Sequence, residues 1–244
     1  SIERSKKCMN LQRLDKIISS QFNLSRSQAR RAVRIGEVTV DDRVIKDFGY
    51  QADIDTQKIE YKGNSMDYKE HLYIIMNKPK GVISASEDKQ KETVIDLVPE
   101  HLRRPSLFPV GRLDKDTTGL LLITDDGDFS HNLLSPKKNI TKTYRAVLDG
   151  DITDEMCEIF AKGVVLADGT QCRPAVLREL EKGVAEIKIS EGRYHQIKRM
   201  FGTVDLGVNE LERTSLGGLQ LPKNLGYGQC RELSKEELDS IFVN

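Results

Sequence analysis

The segment PVGRLDKDTTGLLLITDDGD, residues 109–128, determines how the larger part of this chain is expected to fold. A turn glycine, a basic residue and an acid precede the apolar run 120–123. This order predicts a buried β-strand that is entered by a loop carrying Asp114. Arg112 is two residues away and favours the ionised carboxylate that a nucleophile requires. The residues alone also allow a turn aspartate that makes only local hydrogen bonds.

Elements on both sides of this segment are predicted from short apolar runs and from helical periodicity. The predicted strands are 72–76, 120–123, 143–148, 184–189 and 208–211, and the predicted helices are 93–98, 128–134, 154–162, 194–201 and 235–242. The chain lacks the glycine-rich strand-to-helix turn of a dinucleotide fold. We therefore expect a mixed, mainly antiparallel α+β domain over residues 71–244.

Two further segments of this domain are candidates for a site. In SEGRYHQIKRM, residues 190–200, helical spacing predicts an apolar stripe of Tyr194, Ile197 and Phe201, with Arg193, His195, Lys198 and Arg199 projecting elsewhere. In KTYRAV, residues 142–147, Tyr144 alternates with core positions of a strand. A charged surface helix and a packed core tyrosine are the simpler interpretations. The solitary histidine, with no paired nucleophile, is weak evidence for general-base chemistry.

Charge is distributed unevenly along the chain, although the total is 38 basic and 38 acidic residues. Residues 1–62 carry 13 Lys and Arg against 9 Asp and Glu, and the remainder carries 25 against 29. A net charge of zero argues against a nucleic-acid partner, but two parts of opposite sign favour two domains with different partners.

The N-terminal part is predicted to contain a basic helix. One helix is expected from Leu11, and a second from the N-cap Ser25 to Gly36. Alanine and valine at positions 29, 32 and 33 would face inward. The basic face would then carry Arg26, Arg30, Arg31 and Arg34. Such a face can also be an ordinary solvated surface.

A hairpin follows in the segment GEVTVDDRVI, residues 36–45, with a further strand at 59–61. The order of helix, arginine-rich helix and hairpin resembles the S-four-like (alpha-L) RNA-binding module over roughly residues 11–61. The resemblance implies that the four arginines contact phosphates of folded RNA. Turn-forming residues then end the pattern. We place this domain at residues 1–62, with 1–8 as an extension, and a linker at 63–70.

Composition excludes several classes of protein. The chain is 38% hydrophobic and 31% charged, with a mean hydropathy of −0.48, and no run approaches the eighteen apolar residues of a membrane span. No secretory signal is predicted at the start. The four cysteines are far apart and the four histidines do not pair with them at ligand spacing, which excludes a disulfide framework and a structural zinc. A cytoplasmic protein without membrane contact is expected.

Four segments taken together resemble the RsuA-type pseudouridine synthases over nearly the whole chain. They are NKPKG at 77–81, GRLDKDTTGLLLITDDGD at 111–128, KTY at 142–144 and EGRYHQIKRM at 191–200. Within this family, the RYHQIKRM wording is more similar to the enzyme acting on 16S rRNA than to relatives acting on 23S rRNA, whose segment tends to be GRNRQVRRM.

The resemblance implies a role for each matched residue. Asp114 would be the catalytic aspartate with Arg112 beside it, Tyr144 would stack on the target uracil, and Lys198 would be the basic partner of the aspartate. The remaining basic residues of the 190–200 segment would bind RNA: Arg193, His195 and Arg199. The reaction moves the ribose anomeric carbon from the base nitrogen to carbon five, so it implies no metal and no cofactor. A covalent mechanism and a glycal mechanism both remain open.

The expected partner is ribosomal RNA, as free 16S rRNA or a small-subunit assembly intermediate, bound by a monomer. The alternatives are a 23S rRNA synthase of the same family and a non-catalytic rRNA-binding assembly factor. A pure binder would not need a carboxylate among phosphates. A glycosidase would need a second placed acid, which the sequence does not offer.

Overall fold

The computed structural model describes residues 9–244, so the predicted extension at residues 1–8 lies outside the described chain. The chain forms two compact units. The small unit runs through His71 and also contains Pro99–Leu107. The large unit consists of Leu72–Val98 and Phe108–Asn244.

The small unit combines two helices with short antiparallel strands. Its elements are β1 Leu11–Arg13, α1 Leu14–Gln21, α2 Arg26–Arg34, β2 Val38–Val40, β3 Arg43–Val44, β4 Gln51–Asp53, β5 Ile59–Tyr61, β6 Asn64–Ser65 and a 3-10 turn at Glu100–Leu102. Strands β1 and β4 pair with each other, and the other four form a sheet in the order β3-β2-β5-β6.

The basic helix α2 forms as the sequence predicts. The Ser25 hydroxyl accepts a hydrogen bond from the Gln28 amide at 3.1 Å, and the Gln28 side chain accepts one from the Ser25 amide at 2.8 Å. This capping box satisfies two amides that would otherwise lack partners. Gly36 has a φ of +83° just beyond the helix, a backbone conformation that favours glycine. The inward face, Ala29, Ala32 and Val33, is buried against α1 side chains.

Two features of the small unit differ from the sequence-based expectation. The first helix begins at Leu14 rather than Leu11, because Leu11–Arg13 pair with Gln51–Asp53 as a strand. The predicted linker at 63–70 includes strand β6, which pairs with β5, and Met66 and Tyr68 pack on the small core. The small unit therefore extends beyond residue 62.

The large unit is built on one long sheet. Its elements are β7 Tyr73–Lys78, β8 Phe108–Val110, β9 Thr118–Thr124, α3 Gly127–Leu134, β10 Lys142–Leu148, α4 Asp154–Lys162, β11 Val176–Glu181, β12 Val184–Ile189, α5 Gln196–Gly202, β13 Val208–Leu216, β14 Leu219–Gln220, β15 Cys230–Glu232 and α6 Lys235–Ser240, with 3-10 turns at Ile95–Leu97 and Pro136–Lys138. The sheet order is β11-β12-β10-β13-β9-β7-β15, with β14 beside β13 and β8 beside β9.

The pairing confirms the mainly antiparallel α+β prediction. Only β9 and β13 pair in parallel among the described strands of this sheet. The central strand β9 is buried along its whole length, as expected for a strand covered on both faces. No helix within residues 9–244 is long and apolar enough to span a membrane.

Three helices of the large unit are shorter than predicted, and one of them is α6, which ends at Ser240 rather than at residue 242. The helix expected at 93–98 is reduced to a 3-10 turn, Ile95–Leu97. The helix expected at 194–201 begins at Gln196, because His195 adopts a left-handed backbone with a φ of +47°. The predicted apolar stripe is therefore wrong for Tyr194, which precedes the helix and is 77% exposed.

Candidate active site

A cleft of about 570 Å³ in the large unit collects most of the predicted site residues. Its walls come from the end of β8 and the loop before β9, from α3, from strands β10, β12 and β13, and from α5 with the loop that leads into it. The predicted residues that line it are Arg112, Asp114, Tyr144, Arg193, His195 and Lys198. Segments that are far apart in sequence thus contribute to a single cavity.

The loop that carries Asp114 is held by hydrogen bonds on both sides of the aspartate. The buried Ser84 hydroxyl accepts from the Leu113 amide at 3.1 Å and lies 2.9 Å from the Leu113 carbonyl, to which it can donate. On the other side, the Thr117 amide donates to the Asp114 carbonyl at 3.0 Å and closes a turn. The backbone of Asp114 is therefore fixed before any substrate arrives.

Lys78 of the NKPKG segment supports the same loop from inside the protein. Its side chain is fully buried, and its ammonium group donates to the carbonyls of Pro79, Lys115 and Thr117 at 2.9 to 3.0 Å. Burial lowers the pKa of Lys78 to about 8, although the charges of Asp116 and Asp114 oppose this shift. The ammonium group is a structural clamp on the loop.

A close contact between two backbones explains why residue 119, the last of the GRLDKDTTG segment, is glycine. Gly119 has a φ of +105°, and a Cβ at this position would collide with the backbone carbonyl oxygen of Arg213 on the parallel neighbour β13. Only glycine permits this close approach of two backbones. The Asp114 loop and β13 are thereby brought to the same end of the sheet.

The Asp114 carboxylate is partly exposed in the cleft, with 35% of its side chain accessible. The Nε2 atom of His195 lies 3.6 Å from its Oδ2 atom and is the one basic nitrogen within 4 Å of the carboxylate among the described residues. Lys198 lines the same cleft without forming that ion pair. The carboxylate therefore has no tight ion pair among residues 9–244 and is accessible from the cleft.

The 191–196 loop is organised by Glu191. Its carboxylate accepts hydrogen bonds from the Arg173 amide at 2.7 Å, from the Gln196 side chain at 2.9 Å and from Arg193 Nε at 3.2 Å. Gln196 is itself buried. The ring of Tyr194 stacks on His195 with centroids 3.8 Å apart. This network explains how His195 is held in its left-handed conformation at the cleft.

The floor of the cleft contains the predicted Tyr144. It also contains two cationic side chains, Lys142 and Arg213, which the sequence analysis did not predict as site residues. Tyr144 is 8% exposed, and in the antiparallel register it lies opposite Arg213. Lys142, two positions before Tyr144, shares its strand face because side chains alternate along a strand. The KTY spacing could have indicated Lys142, whereas nothing in the local sequence distinguishes Arg213 from a surface arginine.

Arg199 differs from the other predicted RNA-binding residues. It does not belong to the cleft lining, and its Nη2 atom pairs with Asp168 Oδ2 at 2.6 Å while Nη1 donates to the Tyr194 carbonyl at 3.3 Å. Hydrogen bonds from Thr170, followed by that from Arg199, lower the pKa of Asp168 to about 2. The guanidinium group thus has a partner within the protein.

The small unit contains a second group of candidate residues, which we call the arginine cluster: Arg13, Arg26, Arg30 and Arg34 around Asp15 and Phe48. Asp15 has no exposed side-chain surface and pairs with three of the guanidinium groups at 3.0 to 3.2 Å. Burial disfavours its ionised form, but hydrogen bonds from Arg13 and Arg30 and the charge of Arg26 outweigh burial and lower its pKa to about 2.

Phe48 completes the arginine cluster. The guanidinium carbons of Arg34 and Arg30 lie 4.9 and 5.2 Å from its ring centroid, within the range of cation–π attraction. Arg31, the fourth predicted residue, is exposed on the same helix. Sequence reasoning found the basic face but missed the buried carboxylate and the ring that arrange it.

Comparison with known proteins agrees with both units. Residues 72–203 match the family model for RNA pseudouridylate synthase, and residues 12–57 match the S4 domain. The uncharacterized RNA pseudouridine synthase YtzG of Bacillus subtilis (strain 168) is 41% identical over 93% of this chain and 96% of that protein. Ribosomal small subunit pseudouridine synthase A of Escherichia coli (strain K12) is 38% identical over 94% of this chain and 99% of that protein.

A solved structure described as a pseudouridylate synthase superposes with a TM-score of 0.66 at 33% identity, covering 94% of this chain and 99% of that one. The sequence match and the structural match cover both units and the cleft. The chain therefore belongs to the RNA pseudouridylate synthase family and carries an S4 domain ahead of its synthase domain.

Proposed function

We propose that this pseudouridine synthase isomerises one uridine of 16S rRNA, with Asp114 as its catalytic aspartate. The observation that carries the choice of RNA is the 38% identity, over 94% of the chain, to an enzyme whose name assigns it to the small ribosomal subunit. The RYHQIKRM wording of residues 193–200 supports the same choice. The substrate is free 16S rRNA or a small-subunit assembly intermediate, and the protein acts in the cytoplasm as a monomer.

In this proposal the Asp114 carboxylate begins the reaction, because among residues 9–244 it is the one carboxylate that lines the cleft. It either attacks the ribose anomeric carbon or removes a ribose proton to give a glycal. The bond from that carbon to N1 of uracil breaks and the base rotates. As the same carbon bonds to C5, the ester bond to Asp114 breaks on the first route, and Asp114 returns the ribose proton to the glycal on the second. The proton of C5 is lost and N1 ends protonated, so atoms and charge balance without a redox partner.

The other cleft residues hold the base and the charge. Tyr144 offers its largely buried ring to the uracil, which must leave its stack to enter the cleft. Arg112, Lys198 and Arg193 give the cleft, which His195 also lines, a positive field that attracts the RNA backbone. His195, at 3.6 Å, is the nearest of these groups to the carboxylate.

The arginine cluster supplies affinity for rRNA that does not depend on the reacting base. Guanidinium groups fixed on one helix face suit phosphate contacts in folded RNA. Arg26 and Arg30 are fixed by Asp15, and Arg31 is exposed beside them. Such contacts strengthen substrate binding and transition-state binding equally, so they lower KM more than they raise kcat.

The test is to incubate the purified protein with unmodified 16S and 23S rRNA, and with small-subunit particles, and to map pseudouridine at nucleotide resolution. We expect one modified position, confined to 16S rRNA, and none with Asp114→Asn. Modification of 23S rRNA alone would overturn the choice of substrate. Binding without modification of any of these RNAs would favour an assembly factor instead.

A further inference from the structure

The floor of the cleft holds two cations to which the proposed mechanism gives no role. Lys142 on β10 is half-buried, and Arg213 on β13 is 4% exposed. Both line the same cleft as Asp114. The Nε atom of Arg213 donates to the Leu120 carbonyl at 2.8 Å, which fixes the base of the guanidinium group.

Neither cation forms an ion pair with a carboxylate of residues 9–244. No carboxylate lies within 4 Å of Lys142 Nζ or of the Arg213 guanidinium group in the part of the chain that the structure describes. The nearest hydrogen-bond partner of Lys142 is the Glu191 carbonyl, at a long 3.5 Å. The Glu191 carboxylate already binds Arg193, Gln196 and the Arg173 amide.

The two charges also repel each other. Burial and then the charge of Arg213 lower the pKa of Lys142 to about 8, with a further contribution from Arg173, while Glu191 opposes the shift. Buried charges are normally paired, because an unpaired one loses its hydration without compensation. Two neighbouring unpaired cations in a cleft are therefore a site prepared for an anion.

We propose that Lys142 and Arg213 bind a backbone phosphate adjacent to the target uridine. This assignment rests on the proposed function, in which the cleft receives a nucleotide of rRNA. Uracil and ribose are neutral, so the phosphate is the one fixed anion that such a substrate brings. An arginine presents a planar fork to phosphate oxygens, and a lysine adds a point charge. The pair would hold the backbone while the base leaves its stack.

The first experiment uses an rRNA fragment that the wild-type protein converts, with a neutral methylphosphonate replacing one phosphate flanking the target. We compare wild type with Lys142→Met, Lys142→Arg and the control Lys188→Met. Lys188 is exposed on β12, one position before Ile189, the residue of that strand that lines the cleft. We expect a methylphosphonate on one side of the uridine to raise the wild-type KM about 10-fold or more, as for a lost charged hydrogen bond.

Lys142→Met should raise KM by a similar factor on unmodified RNA. The KM of this variant should not rise further on the RNA that carries the methylphosphonate. In Lys142→Arg the methylphosphonate should again raise KM, by a large part of the factor seen in wild type. Lys188→Met should behave as wild type. An equal methylphosphonate penalty in wild type and Lys142→Met would overturn the proposal. So would a lower kcat at unchanged KM, which would place the ammonium group against the reacting base.

A second measurement does not depend on turnover. Uridine and its 5′- and 3′-monophosphates are titrated into the wild type and the Lys142→Met variant, and binding is followed by NMR. One monophosphate should bind the wild type more tightly than uridine, and the difference should shrink in the variant. Equal binding of all three probes by the wild type would refute the phosphate site. Failure of the proposed function would appear separately, as wild-type protein that converts no rRNA.

Discussion

Asp15 in the small unit and Asp114 in the large unit show two uses of the same side chain. Asp15 is inaccessible to solvent and is held by Arg13, Arg26 and Arg30. Asp114 is 35% exposed, and the one basic atom of residues 9–244 within 4 Å of its carboxylate is an imidazole nitrogen at 3.6 Å. A carboxylate surrounded by guanidinium groups organises positive charge, whereas one left loosely paired at a cleft remains available for chemistry.

The two aspartates are held in place by different interactions, through the side chain of Asp15 and through the backbone around Asp114. Burying Asp15 is compensated by three ion pairs, and its removal would leave three guanidinium groups in mutual repulsion. Asp114 is held through its backbone, by Ser84 and Lys78 acting on the flanking residues. Its side chain contributes little to the fold, so it can be changed without loss of structure.

The largest effect should come from Asp114→Asn. We expect pseudouridine formation to fall by at least about 10³-fold, because the amide can neither attack the ribose nor take its proton. Thermal unfolding and rRNA affinity should stay close to wild type. Turnover assays on rRNA, with binding measured on the same RNA, check this. Retained turnover in the purified variant would remove Asp114 from the mechanism.

The converse change, Asp15→Asn, should spare the chemistry and damage the small unit. Breaking a buried ion-pair network costs about 3–5 kcal/mol, so hydrogen exchange in α1 and α2 should accelerate strongly. Affinity for rRNA should also fall, although a negative charge has been removed, because the arginines lose their arrangement. If affinity rises instead, Asp15 acts only as a repulsive charge. The kcat at saturating RNA should change little.

Acid should weaken the Asp15 site in a defined range of pH. The pKa of Asp15 lies at about 2 in the folded protein, against an ordinary value of 3.8. The stability from its ion pairs is therefore complete above about pH 4 and is lost as the pH falls through about 2. Exchange protection of α1 and α2 between pH 5 and 2 should fall less steeply in Asp15→Asn than in wild type. Parallel curves would show that Asp15 is not the titrating group.

A smaller effect is expected for Arg34→Gln, which removes one guanidinium group from the face of Phe48. The measurement is the slope of the logarithm of the rRNA association constant against the logarithm of the salt concentration. If Arg34 contacts one phosphate, this slope should become shallower by roughly one unit in the variant. Arg178→Gln is the matched control, since Arg178 is exposed on β11 and pairs with Glu186. An identical slope for both variants would assign no phosphate to Arg34.

Arg199→Gln should have the smallest effect of all. Its guanidinium group is paired with Asp168 and does not line the cleft, and exposed pairs of this kind contribute little. We expect kcat and KM within roughly two-fold of wild type, in contrast to Arg193, which lines the cleft. A large increase in KM would mean that RNA displaces Asp168 from Arg199.

Several local features of this chain follow from short-range rules. The N-cap Ser25 and the apolar positions Ala29, Ala32 and Val33 are enough to predict α2 and its basic face. The apolar run at 120–123 predicts β9, and the resemblance of the GRLD segment directs attention to Asp114. The predictions of α2 and β9 succeed because caps and periodicity depend on neighbours only a few residues apart.

Features that depend on distant contacts were not predictable in the same way. The extension of the small unit beyond residue 62 requires the pairing of Asn64–Ser65 with β5 and the packing of Tyr68. The start of α5 at Gln196 depends on the Glu191 network and on His195 in a left-handed conformation. Hydrophobic periodicity and secondary-structure propensity are local properties, so they do not indicate which distant residues will pair.

The sequence by itself therefore determined the family, the order of the domains, the basic helix and the identity of the candidate aspartate. Only the tertiary structure decided which charges are paired and which are free. It buried Asp15 among arginines and paired Arg199 with Asp168. Among residues 9–244 it placed no carboxylate within 4 Å of Lys142 or Arg213 in the cleft. The physical reason is that ion pairing depends on the distances between charged side chains. Strand register and loop packing set these distances, and no local segment of the sequence specifies them.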